Sequence, residues 1–269
     1  MTQAYRAFFG LKREPFPSGL DIEDIYPTAD LGPVAQRFDY AVRLGAVGLL
    51  TGEIGSGKST ALRYAASRLH PSEYRVFHLT ASSGSILEFY RLLLGEMGIE
   101  SASPSRAFLI RTIRREILDL AWGKKIKPVL IVDEASLMRL DVFTELHTLT
   151  QFEGDGKHYL PLILAGQNNL VDRLMYRASM PLASRVVARS HLEGVDRKEM
   201  EQYIRHHLKI AGANRNLFEE TAVTAIHQGS GGLFRKANHL ARGALIAAAA
   251  NKQSIASAEH VRIAATEVF

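Results

Sequence analysis

The chain of 269 residues is 46% hydrophobic and 23% charged, enough to bury a large core and unlike the composition of a disordered polymer. It contains no cysteine, which removes disulfides and thiolate metal sites, and its longest run of small apolar residues, Ala244 to Ala250, is far too short to span a bilayer. With no signal-peptide pattern at the N-terminus, a soluble cytoplasmic protein without membrane contact is expected, and a formal charge of +5 admits nucleic acid as a partner.

Tyr5, Phe8, Phe9, Phe16 and Tyr26 alternate with Pro15, Pro17 and Gly19, so residues 5–26 read as an irregular packed segment. Such a segment either covers a hydrophobic edge or, around Tyr26, walls a pocket for a flat base. Leu31 to Leu44 carries Val34, Phe38, Ala41 and Val42 near helical spacing and leads into the apolar run Ala46 to Leu50.

The stretch Gly52-Glu53-Ile54-Gly55-Ser56-Gly57-Lys58-Ser59 fits G-x-x-x-x-G-K-[ST], with a strand pattern before it and the helical Ala61 to Ala66 after it. Glycines in such a loop turn successive backbone N–H groups toward phosphate oxygens, and the helix that follows, opening through Thr60, adds the positive end of its dipole. Lys58 is expected to reach the β- and γ-phosphates of ATP, and the Ser59 hydroxyl to ligate Mg²⁺.

Pro71-Ser72-Glu73 ends that helix, and Tyr74 to Leu79 alternates as a strand in which His78 reads as a packed residue. The polar loop Thr80 to Ser85 precedes an amphipathic helix from Ile86 to Met97. Ser103-Pro104-Ser105 opens another helix, running to about Trp122, with Leu109, Ile113 and Ile117 on its apolar side. Its opposite face carries Arg106, Arg111, Arg114 and Arg115, read either as a solvated surface or as one that tracks phosphates.

Val129 to Val132 is a run of aliphatic residues suited to a strand buried on both faces of a parallel sheet, and Asp133-Glu134 close it. Acidic groups at the carboxyl end of such a strand lie where α/β sheets bind ligands, so Asp133 is expected to hold the metal and Glu134 to activate water. A helix over Leu137 to Phe152 and a turn over Glu153-Gly154-Asp155-Gly156 follow. The next buried strand, Leu160 to Ala165, ends at Gln167, which either reaches toward the γ-phosphate or caps the next helix. Pro181 to Arg189 follows a helix and leads into the last strand. There Arg185, or alternatively Arg189, could enter a neighbouring subunit's nucleotide site.

From Val195 onward strand signals disappear. Asp196 with Glu199, Asn216 with Glu219, and Ser257 are placed like helix caps, and Arg235 stands at the head of a long helix. The whole pattern is α/β: a parallel sheet between helices, followed by a small helical bundle. The expected divisions are 1–30, 31–194 and 195–269.

The phosphate loop, Asp133-Glu134, Gln167, the Ser184-Arg185 junction and Arg235 occur in the order found in AAA+ ATPases, which this sequence resembles over almost its full length. More narrowly, residues 5–26, Leu164-Ala165-Gly166-Gln167 and the stretch from Ala211-Gly212 through Gly232-Leu233-Phe234-Arg235-Lys236-Ala237-Asn238 resemble the ExeA/GspA-type branch. That branch includes secretion ATPases and transposition helpers similar to TnsC and MuB. The resemblance implies Walker A roles for Lys58 and Ser59, Walker B roles for Asp133 and Glu134, sensor 1 at Gln167, an arginine finger at Arg185 and sensor 2 at Arg235. The sequence departs from the branch in Asn168-Asn169, where Pro-Glu is usual, and in Leu233-Phe234, where Ile-Pro is common.

Because the sequence carries neither a membrane segment nor a wall-binding region after the helical part, the expectation is a transposition helper. Such a protein would use ATP and Mg²⁺, assemble as a ring or helical filament on duplex DNA, and recruit a transposase. Ser82, Ser83, Arg106 and Arg111 are the candidate DNA contacts by residue type and placement. The alternative expectation is the cytoplasmic ATPase module of a secretion complex.

Overall fold

A computed structural model describes residues 2–152 and 158–266. The chain divides into two compact units, one made of residues 29–52 and 58–192, the other of residues 1–28, 53–57 and 193–269.

The first unit is built on a five-stranded sheet of β1 (Val47–Gly52), β2 (Tyr74–Thr80), β3 (Lys127–Asp133), β4 (Leu162–Gly166) and β5 (Val186–Leu192). All four pairings are parallel and the order is β2-β3-β4-β1-β5. Every residue of β1 and β4 is buried, and in β3 only Lys127 is exposed, as a strand covered on both faces requires. Its helices are α2 (Leu31–Leu44), α3 (Lys58–Ser67), α4 (Ile86–Glu96), α5 (Arg106–Leu118), α6 (Leu140–Leu149), α7 (Asn169–Met175) and α8 (Met180–Ala183). Phe77 and Leu79 of β2 join Phe89, Tyr90, Leu93 and Leu94 of α4, Ile113 and Ile117 of α5, and Phe143 and Leu146 of α6 in one core.

The second unit packs α9 (Arg197–Ile210), α10 (Glu220–Ser230), α11 (Phe234–Ala250) and α12 (Ala258–Ala265) around alanine-rich α11, whose Ala237, Ala241, Ala244 and Ala248 are buried. Asp196 caps α9 by accepting from Glu199 N at 2.7 Å, and Ser257 with His260 forms a capping box on α12. The N-terminal segment is part of this core: Tyr5, Phe9, Leu11 and Phe16 cluster with Met200, Ile204, Leu240 and Ala244.

Several local expectations change. Residues 2–9 are a helix, α1 (Thr2–Phe9), in place of irregular chain, because Tyr5 and Phe9 share one helical face and the breaking residues begin only at Gly10. His78 is exposed, since it alternates away from the α4 side on edge strand β2. The helix expected over 137–152 is confined to α6, after a 3-10 turn at Ala135–Leu137. The helix expected to reach Trp122 leaves α geometry at Leu118 and widens into a π turn over Asp119–Gly123. The strand expected from Leu160 begins at Leu162, and Pro181 lies inside α8 at its first turn, where a missing N–H costs nothing. Glu219 is the residue before α10, and Asn216 instead accepts from Phe218 N at 3.2 Å. The turn expected at Glu153-Gly154-Asp155-Gly156 lies outside the described residues.

Candidate nucleotide-binding site

Parallel pairing brings the carboxyl ends of β1, β4 and β3 to one edge of the sheet, with β4 in the middle. The residues singled out by their sequence pattern lie at these ends or just beyond them. Lys58, the first residue of α3, is buried and donates from Nζ to the Gly52 carbonyl at the end of β1, at 3.0 Å. Ser59 beside it donates from Oγ to Asp133 Oδ2 at 2.6 Å, so the head of α3 reaches past β4 to the end of β3.

Asp133 is 6% exposed, and its other oxygen, Oδ1, accepts from Glu134 N at 2.8 Å. Both oxygens of this carboxylate are therefore oriented by the chain itself. Glu134 stands at φ 53° and ψ 31°, the left-handed region, which costs a non-glycine residue about 1–2 kcal/mol. Lys125 and Lys252 share that conformation, but of the three only Glu134 follows a buried carboxylate at the sheet edge. Gln167 is the residue after β4, half-buried, with its N–H on Ser136 Oγ at 3.4 Å. Its carbonyl accepts from Leu170 N at 2.9 Å, so the backbone, rather than the amide, serves the start of α7.

Between β1 and α3 runs the loop Glu53–Gly57. Gly55 and Gly57 adopt φ +86° and +98°, conformations a side chain would oppose, and a β-carbon at Gly55 would lie 2.9 Å from that of Arg235. Ser56 is 3% exposed, and its Oγ has no hydrogen-bond partner among the described residues. A buried hydroxyl without a partner in a turn of glycines is what a loop shaped for an anion leaves behind. Arg235, in the first turn of α11, donates its backbone N–H to Gly55 O at 3.3 Å, while its side chain is exposed.

The oxygen donors Ser59 and Asp133 suit a hard divalent cation such as Mg²⁺. Among the described residues no group of three or more His, Cys, Asp or Glu could cage a metal. A cation completed by water and phosphate oxygens fits this donor set.

The remaining candidates are placed as follows. Arg185 leads into β5 and donates from Nε to His147 Nδ1 on α6 at 3.2 Å, whereas Arg189 is exposed on β5. Tyr26 donates to Gln202 at 2.8 Å and sets its ring edge-on to Tyr203 and His206 of α9. Burial first, then Glu199 and Asp196, hold its phenol above the usual pKa. Arg106 pairs with the buried Glu145 carboxylate, which also accepts a hydrogen bond from the Tyr90 hydroxyl. Arg114 donates to the Thr148 and Gln151 carbonyls and lies over the Phe152 ring, so this face is partly structural. Arg111 and Ser83 are exposed, and Ser82 donates to Glu88 at 3.0 Å. Ser56 belongs to the motif read from the sequence, whereas sequence reasoning missed Ser136 and His147, because their contacts with Gln167 and Arg185 are ones that no motif encodes.

Residues 42–174 match the AAA domain family. Among curated proteins the chain is 30% identical, over 267 residues, to General secretion pathway protein A of Aeromonas hydrophila; the match covers 98% of this chain and 48% of that protein. The chain thus spans about half the length of the curated relative it matches. Cdc6p from Pyrobaculum aerophilum superimposes with a TM-score of 0.69 at 17% identity, covering 93% of this chain and 72% of that one. The ORC1 protein of Aeropyrum pernix, solved in complex with DNA, gives 0.70 at 16% identity, covering 92% and 67%. The RuvB Holliday junction branch migration motor of Thermotoga maritima gives 0.59 at 19% identity, covering 95% and 74%. At these identities the solved structures speak for the fold.

Proposed function

From the premise that this chain has the AAA+ P-loop fold, with an AAA domain at residues 42–174, we propose that it binds and hydrolyses ATP as the ATPase module of a secretion apparatus of the General secretion pathway protein A kind. The observation that carries the ATPase reading is the chain of contacts from Ser59 to Asp133 to the strained Glu134 at one sheet edge. The secretion reading is supported by 30% identity sustained along 98% of the chain.

In this reading Lys58 leaves the Gly52 carbonyl and faces the β- and γ-phosphates, while the loop Gly52–Gly57 and Thr60 bind phosphate oxygens through backbone N–H groups. Ser59 and Asp133 hold Mg²⁺, which when bound neutralises phosphate charge. Glu134 orients the attacking water and takes its proton. Gln167, following the central strand, polarises that water against the γ-phosphate. Arg185 acts on the nucleotide of a neighbouring subunit, where a guanidinium stabilises the charge of the transferred phosphoryl group.

Substituting Lys58→Ala is expected to abolish binding of a fluorescent ATP analogue and hydrolysis together, because the cation facing the phosphates is gone. Ordinary affinity in that variant would overturn the nucleotide assignment.

A second reading, an ATP-dependent regulator of transposition that oligomerises on duplex DNA and recruits a transposase, draws on the formal charge of +5. Duplex binding in the presence of ATP separates the two.

A further inference from the structure

Arg185 approaches α6 through a bond that constrains its partner's chemistry. Its Nε can only donate, so His147 Nδ1, 3.2 Å away, must present a lone pair. The ring is therefore the neutral tautomer with its proton on Nε2. Gln151 places its amide Nε2 3.2 Å from the ring Nε2, and exchanging that amide's nitrogen and oxygen, which have the same shape, gives the Nε2 proton its acceptor. Gln151 is itself anchored, since Arg114 Nη2 of α5 donates to its carbonyl at 2.6 Å. The His147 backbone carbonyl accepts from Thr150 Oγ1 at 2.8 Å. A second tie fixes the same region: Thr144, one turn earlier on α6, donates to the Ala178 carbonyl ahead of α8 at 3.1 Å. The imidazole is thus held from both sides, on the helix that follows the Asp133-Glu134 strand end in the chain.

We propose that His147 is a positioning residue for Arg185, orienting the guanidinium through Nε by means of its neutral Nδ1 lone pair. The bond does not use the two Nη nitrogens, the pair with which a guanidinium meets phosphoryl oxygens. An arginine that acts on charge developing in a transition state contributes in proportion to how far its orientation is set beforehand. His147 supplies part of that orientation without touching nucleotide. This inference rests on the reading of Arg185 as the residue that acts in trans.

The test compares steady-state ATP hydrolysis, binding of a fluorescent ATP analogue and thermal melting for the full chain and its variants. His147→Ala is expected to lower kcat about tenfold, with KM and analogue affinity unchanged. His147→Asn, whose amide oxygen falls near the Nδ1 position, is expected to restore most of the rate. His147→Gln, which fills similar space but moves the acceptor outward, is expected not to. If the alanine variant fails to fold, the Asn and Gln pair carries the comparison. Arg185→Ala should lower kcat by at least as much as His147→Ala, and the double variant should be no slower than Arg185→Ala alone.

Equal rates for the Asn and Gln variants, a KM effect in place of a kcat effect, or full additivity in the double variant would each overturn the role of His147. If Arg185→Ala hydrolyses ATP at the wild-type rate, the reading of Arg185 fails first and the positioning role falls with it. The two failures are therefore distinguishable.

Discussion

Glu134 sits in left-handed backbone geometry one residue after a carboxylate whose two oxygens are both engaged. Asparagine tolerates that geometry better than glutamate does. Replacing Glu134 by Asn should therefore raise the melting temperature, by a stabilisation on the order of 1 kcal/mol, while removing hydrolysis. Glu134→Gln should also bind ATP without turning it over at the normal rate, but without the gain in stability. Calorimetric melting beside a phosphate-release assay tests both, and unchanged turnover in either variant would move the base elsewhere.

His207 poses a different residue-scale problem. It is fully buried in the helical unit, shares its Nδ1 proton with the Pro15 carbonyl at 2.8 Å, and stacks on Phe16. Its Nε2 has no partner among the described residues, and burial lowers its pKa from 6.5 to about 4. Between those values the unfolded chain takes up a proton that the folded chain refuses. Stability is thus full at neutral pH, falls as the pH drops below 6.5, and levels off below about 4. At pH 5 the loss should be ~2 kcal/mol, and His207→Phe should flatten the dependence; urea titrations at pH 7 and pH 5 measure it.

At the scale of elements, the N-terminal segment is fastened to the helical unit by more than apolar contact. Tyr5 donates to Glu14 Oε2 at 2.6 Å, Glu14 Oε1 pairs with Arg242 of α11 at 2.8 Å, and Arg242 also donates to the Phe16 carbonyl. The Tyr5 phenol has its pKa raised, first by burial and then by Glu14. Tyr5→Ala should therefore cost about 3–5 kcal/mol, as for other large aromatic truncations in cores, and chemical denaturation should show it. A cost under about 1 kcal/mol would contradict the packing described here.

The same scale shows what the sequence makes legible. The buried runs of β1, β3 and β4 and the phosphate loop are visible because each is dictated locally, by continuous apolar strands and by glycines in a fixed pattern. The capping pair Asp196 and Glu199 is visible for the same reason. By contrast, Tyr5 to Phe9 hides its helix because its turn signals lie just downstream, and its packing partners lie near residues 200–245. In the site, Lys58, Ser59, Asp133, Glu134 and the loop position Ser56 can be named from the sequence, whereas the approach of Arg185 to His147 and of Gln167 to Ser136 cannot. Those contacts join positions whose residue types carry no fixed spacing.

For the whole molecule the question is where its charge goes. The formal +5 is the excess of 33 Lys and Arg over 28 Asp and Glu, so ion pairs such as Arg106 with Glu145, Arg197 with Glu201 and Glu220, and Arg242 with Glu14 engage particular arginines and leave that excess unchanged. An arginine held by a carboxylate in this way is less available to a polyanion than an unpaired one. Fluorescence anisotropy with duplex DNA, in ATP, in ADP and without nucleotide, at two salt concentrations, tests what is left. The secretion-module reading expects no assembly on DNA in any nucleotide state. Strong, salt-sensitive binding in ATP, with particles enlarging under the electron microscope, would instead favour the transposition reading.

Among the described residues no helix is long and apolar enough to cross a membrane. The helical unit, by contrast, has a property of its own, because it is assembled from residues 1–28, 53–57 and 193–269. Its parts are therefore not inherited together when genes are cut and joined. A chimaera that borrows α9 to α12 from one relative must also borrow the stretch containing Tyr5, Glu14 and Phe16, or the new helices will meet aromatic rings and a carboxylate chosen for another bundle. The opening residues and the closing helices should consequently change in step between relatives, as two halves of one lock.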